Sequence, residues 1–153
     1  LGDVYKRQSP VCAPEVAKTL GSIADLEHHT ILRDALQNVG SPPSWEFWAE
    51  EAGFTLPQLP LSRQFGQANM VIQAAIQGLG VAMGRGPLVA DAIAQGLLVC
   101  PFENVVASQF SYWLVCRHDA LKSQKVRLFC EWLHEQTAAQ DAESLRGNMV
   151  PTH

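Results

Sequence analysis

The residues with the greatest potential for ligand chemistry lie between positions 65 and 69, where the sequence reads FGQAN. The amides of Gln67 and Asn69 stand at the start of a helix that apolar spacing predicts over residues 69–78. The first N–H groups of a helix have no partner within it, so they attract anions and polar groups. A predicted strand, residues 61–65, ends just before them, and ligands of α/β proteins bind at such strand ends. This segment therefore predicts a site for a small anion or polar ligand, with a solvated connection as the alternative.

Other reactive residue types do not form a catalytic or metal-binding pattern. His28 and His29 are adjacent, but no third ligand lies near them in the sequence, as a zinc site requires. Cys116 and His118 lack a marked orienting group, which a nucleophile and its base need. The sequence has no glycine-rich phosphate loop of the Walker type, no nucleophile elbow and no HExxH motif. We therefore expect no catalytic residue, no metal and no cofactor.

The composition is that of a globular domain with a substantial core. The chain has 153 residues, of which 47% are hydrophobic and 17% are charged. Its net charge of −4, with scattered basic residues, argues against nucleic-acid binding by this chain. No apolar run is long enough to span a bilayer, so we expect no membrane association. The cysteines lack CxxC spacing, which indicates free thiols and a reducing cytoplasm; they are Cys12, Cys100, Cys116 and Cys130.

Short apolar strands alternate with helices along the chain. The strands are expected at residues 30–33, 61–65, 81–83, 97–100 and 110–116, and a polar loop at 104–109. Helices are expected at residues 15–20, 45–52, 69–78 and 124–136, with one more beginning at Pro87 and ending at Gly96. This alternation predicts an α/β fold with a mainly parallel sheet and right-handed crossovers.

Local signals mark several of these elements. Ser22 and Asp25 have the spacing of a capping box, which starts a helical turn. Gly78 and Gly80 are expected to end the helix before them, because glycine adopts the left-handed backbone of many helix ends. The two tryptophans in residues 45–52 are one turn apart, which favours a core face over a ligand-stacking face.

The two ends of the chain differ from the rest. Residues 1–8, LGDVYKRQ, do not continue into the following pattern and resemble a translated adaptor or assembly scar. We therefore expect them to be non-native, exclude them from the fold, and expect the native protein to extend further toward its N-terminus. Residues 138–153 have no periodicity and are expected to form a mobile tail.

Several segments together resemble the LysR-type transcriptional regulators, and within them the glycine-cleavage-activator-like subgroup. The resemblance rests on the sequences PVCAPEVA, SIADLEHHTIL, WEFW, NMVIQAAIQGLGVAMGRGPLVADAIAQGLLVCPF, FSYWLVC and KVRLFCEWL. It covers about residues 9–136, and the combination is specific although no single motif would be sufficient.

The resemblance implies part of an effector domain with the type 2 periplasmic-binding-protein fold, in which a ligand cleft separates two α/β lobes. Residues 9–100 would form the second lobe. Residues 101–137 would supply a crossing strand, then a strand and a helix that return to an incomplete first lobe. The strand at 110–116 would lack flanking strands, so its apolar side chains should be exposed or covered by the last helix alone; they are Phe110, Tyr112, Trp113 and Leu114.

The family's cleft, carried over residue by residue, places the effector-binding residues at strand ends. They are Pro10, Cys12, Arg33, Asp34, Phe65, Gly66, Gln67 and Asn69. If Arg33 points inward, an amino acid or carboxylate effector would gain charge-assisted hydrogen bonds; if it points outward, it is a surface cation. Gln67 and Asn69 stand where relatives often carry acidic or hydroxyl residues, which leaves the effector class open.

The resemblance implies the effector-sensing portion of a bacterial, cytoplasmic LysR-type DNA-binding regulator. The full-length protein would bind promoter DNA through a winged helix-turn-helix that this chain lacks, and would form a homo-oligomer. Two alternatives stay open: a transporter's solute-binding protein of the same fold, and an enzyme that uses Cys116 or another thiol as a nucleophile.

Overall fold

The computed structural model describes residues 4–35, 45–112, 114–117 and 119–146. Within these residues, five strands and five α-helices follow one another. The strands are β1 (Val4–Val11), β2 (Ile31–Asp34), β3 (Ser62–Phe65), β4 (Val81–Arg85) and β5 (Val106–Tyr112). The helices are α1 (Pro14–Ala17), α2 (Trp45–Ala52), α3 (Ala68–Ile76), α4 (Gly86–Ala94) and α5 (Gln124–Arg146), with 3₁₀ turns at Ile23–His28 and Ala120–Lys122.

The described residues divide into two compact units. The sheet unit is built from the described residues between 7 and 109, and the helical unit from residues 4–6 and the described residues between 110 and 146. The sheet has the strand order β3-β2-β4-β1-β5 and is open. Strand β2 runs parallel to β3 and to β4, whereas β1 runs antiparallel to β4. The expected α/β fold is therefore present, with parallel and antiparallel pairing mixed in one sheet.

Alternate residues of the central strands enter two separate hydrophobic clusters. Ile31 and Val81 belong to a cluster that contains Trp45 and Trp48 of α2. Their neighbours in the strands, Leu32 and Ala82, belong to the cluster that contains the buried residues of α3 and Val89 of α4. Successive side chains of a strand point to opposite faces, so the sheet lies between these two layers. The tryptophans are core residues, as their helical spacing predicted.

Two local signals act as the sequence indicated. The Asp25 carboxylate accepts hydrogen bonds from the Ser22 amide at 2.7 Å and the Ser22 hydroxyl at 3.1 Å, which hold the pKa of Asp25 below its usual value. Gly78 has φ 74°, the left-handed conformation expected at the end of α3. A Cβ at Gly80 would overlap the Thr30 carbonyl, the group that accepts a hydrogen bond from the Val81 amide at 2.9 Å.

The strand expected at residues 97–100 is reduced to a single bridge between Cys12 and Val99. The amides of Leu97 and Leu98 instead donate to the Ala92 carbonyl, at 2.9 and 3.2 Å, and so close the end of α4. Pro101 follows and has no N–H to extend the pairing. The apolar run therefore ends a helix and makes one bridge, which corrects the strand prediction.

The last strand begins earlier than expected. Residues 106–109 are expected to form a polar loop, but they are the first half of β5. Val106 is buried in the tryptophan cluster, and Ala107 is exposed. Residues 114–117 lie beyond the strand, and Leu114 is 44% exposed, which agrees with the exposure predicted for it. The side chains of Phe110, Tyr112 and Trp113 lie outside the described residues.

Both ends of the chain contain more regular structure than the sequence indicated. Residues 4–8, excluded from the fold by the sequence analysis, form the first part of β1, and Gln8 among them pairs with Arg85 of β4. Their non-native origin stays a prediction. Helix α5 extends to Arg146, through residues of the expected tail that favour helix, such as Ala and Glu. The segment 38–44, NVGSPPS, whose Gly, Pro and Ser content predicts a loop, lies outside the described residues.

Candidate functional site

A small cleft opens where β2 and β4 end and α3 and α4 begin. Parallel strands have their carboxyl ends at the same edge of a sheet, and that edge is where α/β proteins bind ligands. We call this site the strand-end cleft, and its lining residues are Asp34, Ala68, Val71, Ile72, Met83, Arg85 and Leu88. Its enclosed volume of about 10 Å³ holds roughly one water molecule, so a ligand here would extend out of the cleft.

An ion pair forms the polar wall of the strand-end cleft. Arg85, the last residue of β4, donates through Nη2 to Oδ2 of Asp34, the last residue of β2, at 3.2 Å. The Asp34 side chain is 3% exposed and the Arg85 side chain 24% exposed. Removing one partner of such a buried pair leaves an uncompensated charge, which typically costs about 3–5 kcal/mol. The ion pair holds the positively charged Arg85 guanidinium at the edge of the cleft, whose other lining residues are apolar.

The start of α3 forms another part of the same edge. Gln67 is the N-cap residue with an extended backbone, but its side chain makes no capping hydrogen bond. Asn69 is exposed, and its Oδ1 accepts from the Met70 amide at 2.9 Å. Ala68 lies between them and lines the strand-end cleft. The partial positive charge of a helix N-terminus is therefore directed at the edge that carries Arg85.

Arg33 does not lie beside its sequence neighbour Asp34. It donates through Nη2 to Oε1 of Glu46 on α2 at 3.3 Å, and Glu46 is 61% exposed. Consecutive strand residues point to opposite faces, so Asp34 faces the strand-end cleft and Arg33 faces the layer of α2. Phe65 packs partly against the cluster around α3, and Gly66 is exposed next to it. Of the residues predicted from β2 and β3, the structure brings only Asp34 into the cleft lining.

Pro10 and Cys12 are packed inside the sheet rather than along the cleft. Pro10 is opposite Met83 in the antiparallel pairing, and the Cys12 backbone exchanges hydrogen bonds with Val99 at 3.1 and 2.9 Å. Burial raises the pKa of the Cys12 thiol to about 11, with a smaller contribution from Cys100. Burial also raises the pKa of Cys100, against a hydrogen bond with Ser9 that lowers it. Both thiols are therefore protonated at neutral pH and unsuited to nucleophilic chemistry.

Gln8 is a buried polar residue in an unusual environment. It is 1% exposed and lies opposite Arg85 in the pairing of β1 with β4. Its amide nitrogen and oxygen have no hydrogen-bond partner among the residues that the structure describes. A buried amide without a partner destabilises a fold by about 1–3 kcal/mol.

The sequence analysis did not identify Arg85 as a site residue. It ended β4 at Met83 and assigned no element to Gly84 and Arg85, whereas the strand continues to Arg85. The pairing of β4 with β2 brings Arg85 to Asp34, across 51 positions in the sequence. A basic residue at the end of a strand, in a chain with an acid at another strand end, was the available signal.

The described residues show neither a group of metal ligands nor a membrane-spanning helix. Within the part of the chain that the structure describes, no three His, Cys, Asp or Glu side chains are grouped to hold a metal ion. His28 lies 3.1 Å from a carboxylate oxygen of Glu27, and His29 lies 3.3 Å from the Thr19 hydroxyl. No helix among the described residues combines the length and the apolar character needed to cross a bilayer.

Comparison with known protein sequences gives one family and several curated relatives. The model of the LysR substrate binding domain matches residues 6–138. The glycine cleavage system transcriptional activator of Escherichia coli K12 is 33% identical over 134 residues, which are 86% of this chain and 42% of that protein. The HTH-type transcriptional regulator DsdC of the same strain is 31% identical over 132 residues, or 83% of this chain and 42% of that protein. The chain therefore spans less than half the length of these relatives.

Comparison with solved structures supports the same architecture. The effector domain of the transcriptional regulator AmpR of Pseudomonas aeruginosa has a TM-score of 0.74 and 31% identity, covering 95% of this chain and 68% of that domain. The AmpR effector binding domain from Citrobacter freundii has a TM-score of 0.72 and 21% identity, covering 90% and 67%. The second likeness shows the fold alone. The expected open α/β sheet of periplasmic-binding-protein type is confirmed.

Proposed function

Because this chain belongs to the LysR substrate-binding domain family, we propose that it is the effector-sensing part of a bacterial LysR-type transcriptional regulator. The observation that carries the proposal is the family match over residues 6–138, with a charged cleft at the strand ends where this fold binds ligands. The named curated relatives are transcriptional regulators, which favours this function over a transporter's solute-binding protein.

In the proposed mechanism, a small molecule enters the strand-end cleft and is enclosed by residues that belong to the longer protein. A ligand that binds one arrangement of the lobes better than another shifts the population toward it. In a DNA-bound homo-oligomer, such a shift alters how the subunits are placed on the promoter. The net charge of −4 makes this chain unfit to bind DNA by itself, so the promoter would be bound by a separate domain.

The effector we propose is a small amino acid or another carboxylate. The cation of Arg85 and the N-terminus of α3 both favour a negatively charged group at the strand-end cleft. One relative activates the glycine cleavage system, by its name, which agrees with an effector from amino-acid metabolism. We further propose a cytoplasmic location and no catalysis, because the named curated relatives are transcriptional regulators.

A ligand screen by thermal unfolding tests the function. The purified chain is heated with each of the common amino acids and short carboxylates at millimolar concentration. A ligand present at ten times its dissociation constant stabilises the folded state by about 1.4 kcal/mol, which is measurable as a raised Tm. We expect a weak effect, because this chain supplies only part of the cleft of the longer protein. The absence of a response to any small molecule in the screen would overturn the proposal, and specific binding of duplex DNA by this chain would contradict the separate DNA-binding domain.

A further inference from the structure

The guanidinium of Arg85 has more hydrogen-bonding capacity than its surroundings use. A guanidinium carries five N–H donors in a planar fork. Among the described residues, Asp34 supplies the one acceptor found for it, through a single contact of 3.2 Å. At 24% exposure, the side chain is neither fully solvated nor fully paired. Its remaining donors are therefore available to a group that enters from the cleft.

The surroundings of Arg85 favour a negatively charged partner. Val71, Ile72 and Leu88 line the same cleft with apolar surface, which reduces solvent screening of the charge. The N-terminus of α3, whose first residue Ala68 is also in the lining, adds its partial positive charge without a side-chain cap. Asp34, which is 3% exposed, is fixed in the wall of the cleft and holds one side of the guanidinium.

The other arginine of this region is differently placed. Arg33 pairs with Glu46, whose side chain is 61% exposed, on the opposite face of the sheet. Surface pairs of this kind contribute little and are screened by solvent. The two arginines are similarly exposed, at 27% for Arg33 and 24% for Arg85, so the contrast lies in their partners and their position: Arg85 has a buried partner and lines the cleft, whereas Arg33 has an exposed partner on the other face of the sheet.

We infer that Arg85 is the carboxylate-binding residue of the strand-end cleft and that Asp34 is the residue that positions it. The two outer donors of the guanidinium form a fork that matches the two oxygens of a carboxylate. The recognised group is the carboxylate itself, so an amine on the same molecule is not required. This inference rests on the proposed function, since it assigns the anchor for the effector.

The test uses the 153-residue chain with sodium acetate and glycine as probes and methylamine hydrochloride as the amine-only comparison. Binding is measured by titration, following the side-chain Nε–Hε signals of the arginines by NMR. We expect acetate and glycine to shift the Arg85 signal and methylamine to leave it unchanged. Arg85→Gln should weaken binding of both carboxylates at least about tenfold, the loss of a charge-assisted bidentate contact.

Three further variants separate binding from folding. Arg85→Lys keeps a positive charge beside Asp34, so it should fold, but it lacks the fork and should still weaken carboxylate binding. Asp34→Asn should weaken binding and move the Arg85 signal in the absence of probe, which a residue with a merely structural role elsewhere would not do. Arg63→Gln, an exposed residue of β3, is the matched control and should leave binding unchanged.

The outcomes distinguish this inference from the proposed function. If acetate and glycine bind but Arg33→Gln abolishes binding while Arg85→Lys does not, the inference is wrong and the proposed function stands. If neither probe binds while another small molecule in the screen does, the inference is again wrong and the proposed function again stands. If no small molecule binds at all, both fail.

Discussion

The sheet unit and the helical unit are stabilised in different ways. In the sheet unit, large side chains such as Trp45, Trp48 and Leu26 are fully buried. In α5 of the helical unit, the apolar residues Leu128, Phe129 and Trp132 are 56%, 52% and 53% exposed. The first unit therefore depends on tertiary packing, whereas the described part of α5 depends mainly on its own backbone hydrogen bonds. The same type of apolar residue should therefore contribute much more to the free energy of unfolding in the sheet unit than in α5.

The largest expected effect is the loss of a buried tryptophan. Trp48 contacts the rings of Trp45, Phe54 and Phe102 and donates from Nε1 to the Asn104 carbonyl at 3.0 Å. Trp48→Ala should lower the free energy of unfolding by about 3–5 kcal/mol, measured by urea denaturation. The matched control is Trp132→Ala in α5, which should change it by less than about 1 kcal/mol. Equal losses would contradict the difference between the units.

A smaller loss of stability is expected where the backbone of Gly80 lies close to the backbone of Thr30 in the sheet unit. Gly80→Ala places a Cβ against the Thr30 carbonyl, at the point where β4 begins beside β2. Overpacking of this kind costs about 1–3 kcal/mol, which thermal or urea unfolding would detect. Gly66→Ala is the control, because a Cβ there meets no atom within 4 Å and should be nearly neutral. If Gly80→Ala leaves the free energy of unfolding unchanged, the backbone at the start of β4 can move enough to accommodate the Cβ, which would contradict the tight packing described there.

Stabilisation is expected at Gln8, a position in the sheet unit where a buried side-chain amide lacks hydrogen-bond partners among the described residues. Gln8→Leu removes two buried polar atoms that lack partners among the described residues. The free energy of unfolding should rise by about 1–3 kcal/mol. Gln73→Leu, on the exposed side of α3, should change stability by less than about 0.5 kcal/mol. If Gln8→Leu destabilises the chain, its amide has a partner in solution.

The smallest effect at neutral pH concerns the thiols of the two units. The pKa of Cys12 is about 11 in the folded chain against an ordinary 9.0, so the unfolded state loses this proton first as pH rises. The contribution of Cys12 is therefore fully present below about pH 9 and decreases as pH rises toward 11. Cys116, which is exposed in the helical unit, should react rapidly with a thiol reagent at neutral pH. Equally rapid labelling of Cys12 would contradict its burial.

Elements whose signals are local were predictable from the sequence. Helix α2 has the predicted bounds, Trp45–Ala52, because apolar spacing and the following Gly53 mark both its face and its end. The Ser22–Asp25 capping box formed for the same reason, since both residues lie within one turn. Signals of this kind do not depend on distant parts of the chain.

Elements that depend on distant partners were not predictable in the same way. The apolar residues 97–100 predict a strand, but the amides of Leu97 and Leu98 donate to the Ala92 carbonyl at the end of α4 instead. The role of Arg85 depends on β4 lying next to β2, and the sequence of neither strand specifies that order. The sequence could identify Asp34 as a strand-end acid, but not the cation that pairs with it.

The alternation of side chains along β2 also has a thermodynamic consequence. Arg33 and Asp34 share a peptide bond, yet each makes its ion pair on a different side of the sheet and with a different element. Their contributions to stability should therefore be additive, and neutralising both charges should change the unfolding free energy by the sum of the single changes, within about 0.5 kcal/mol.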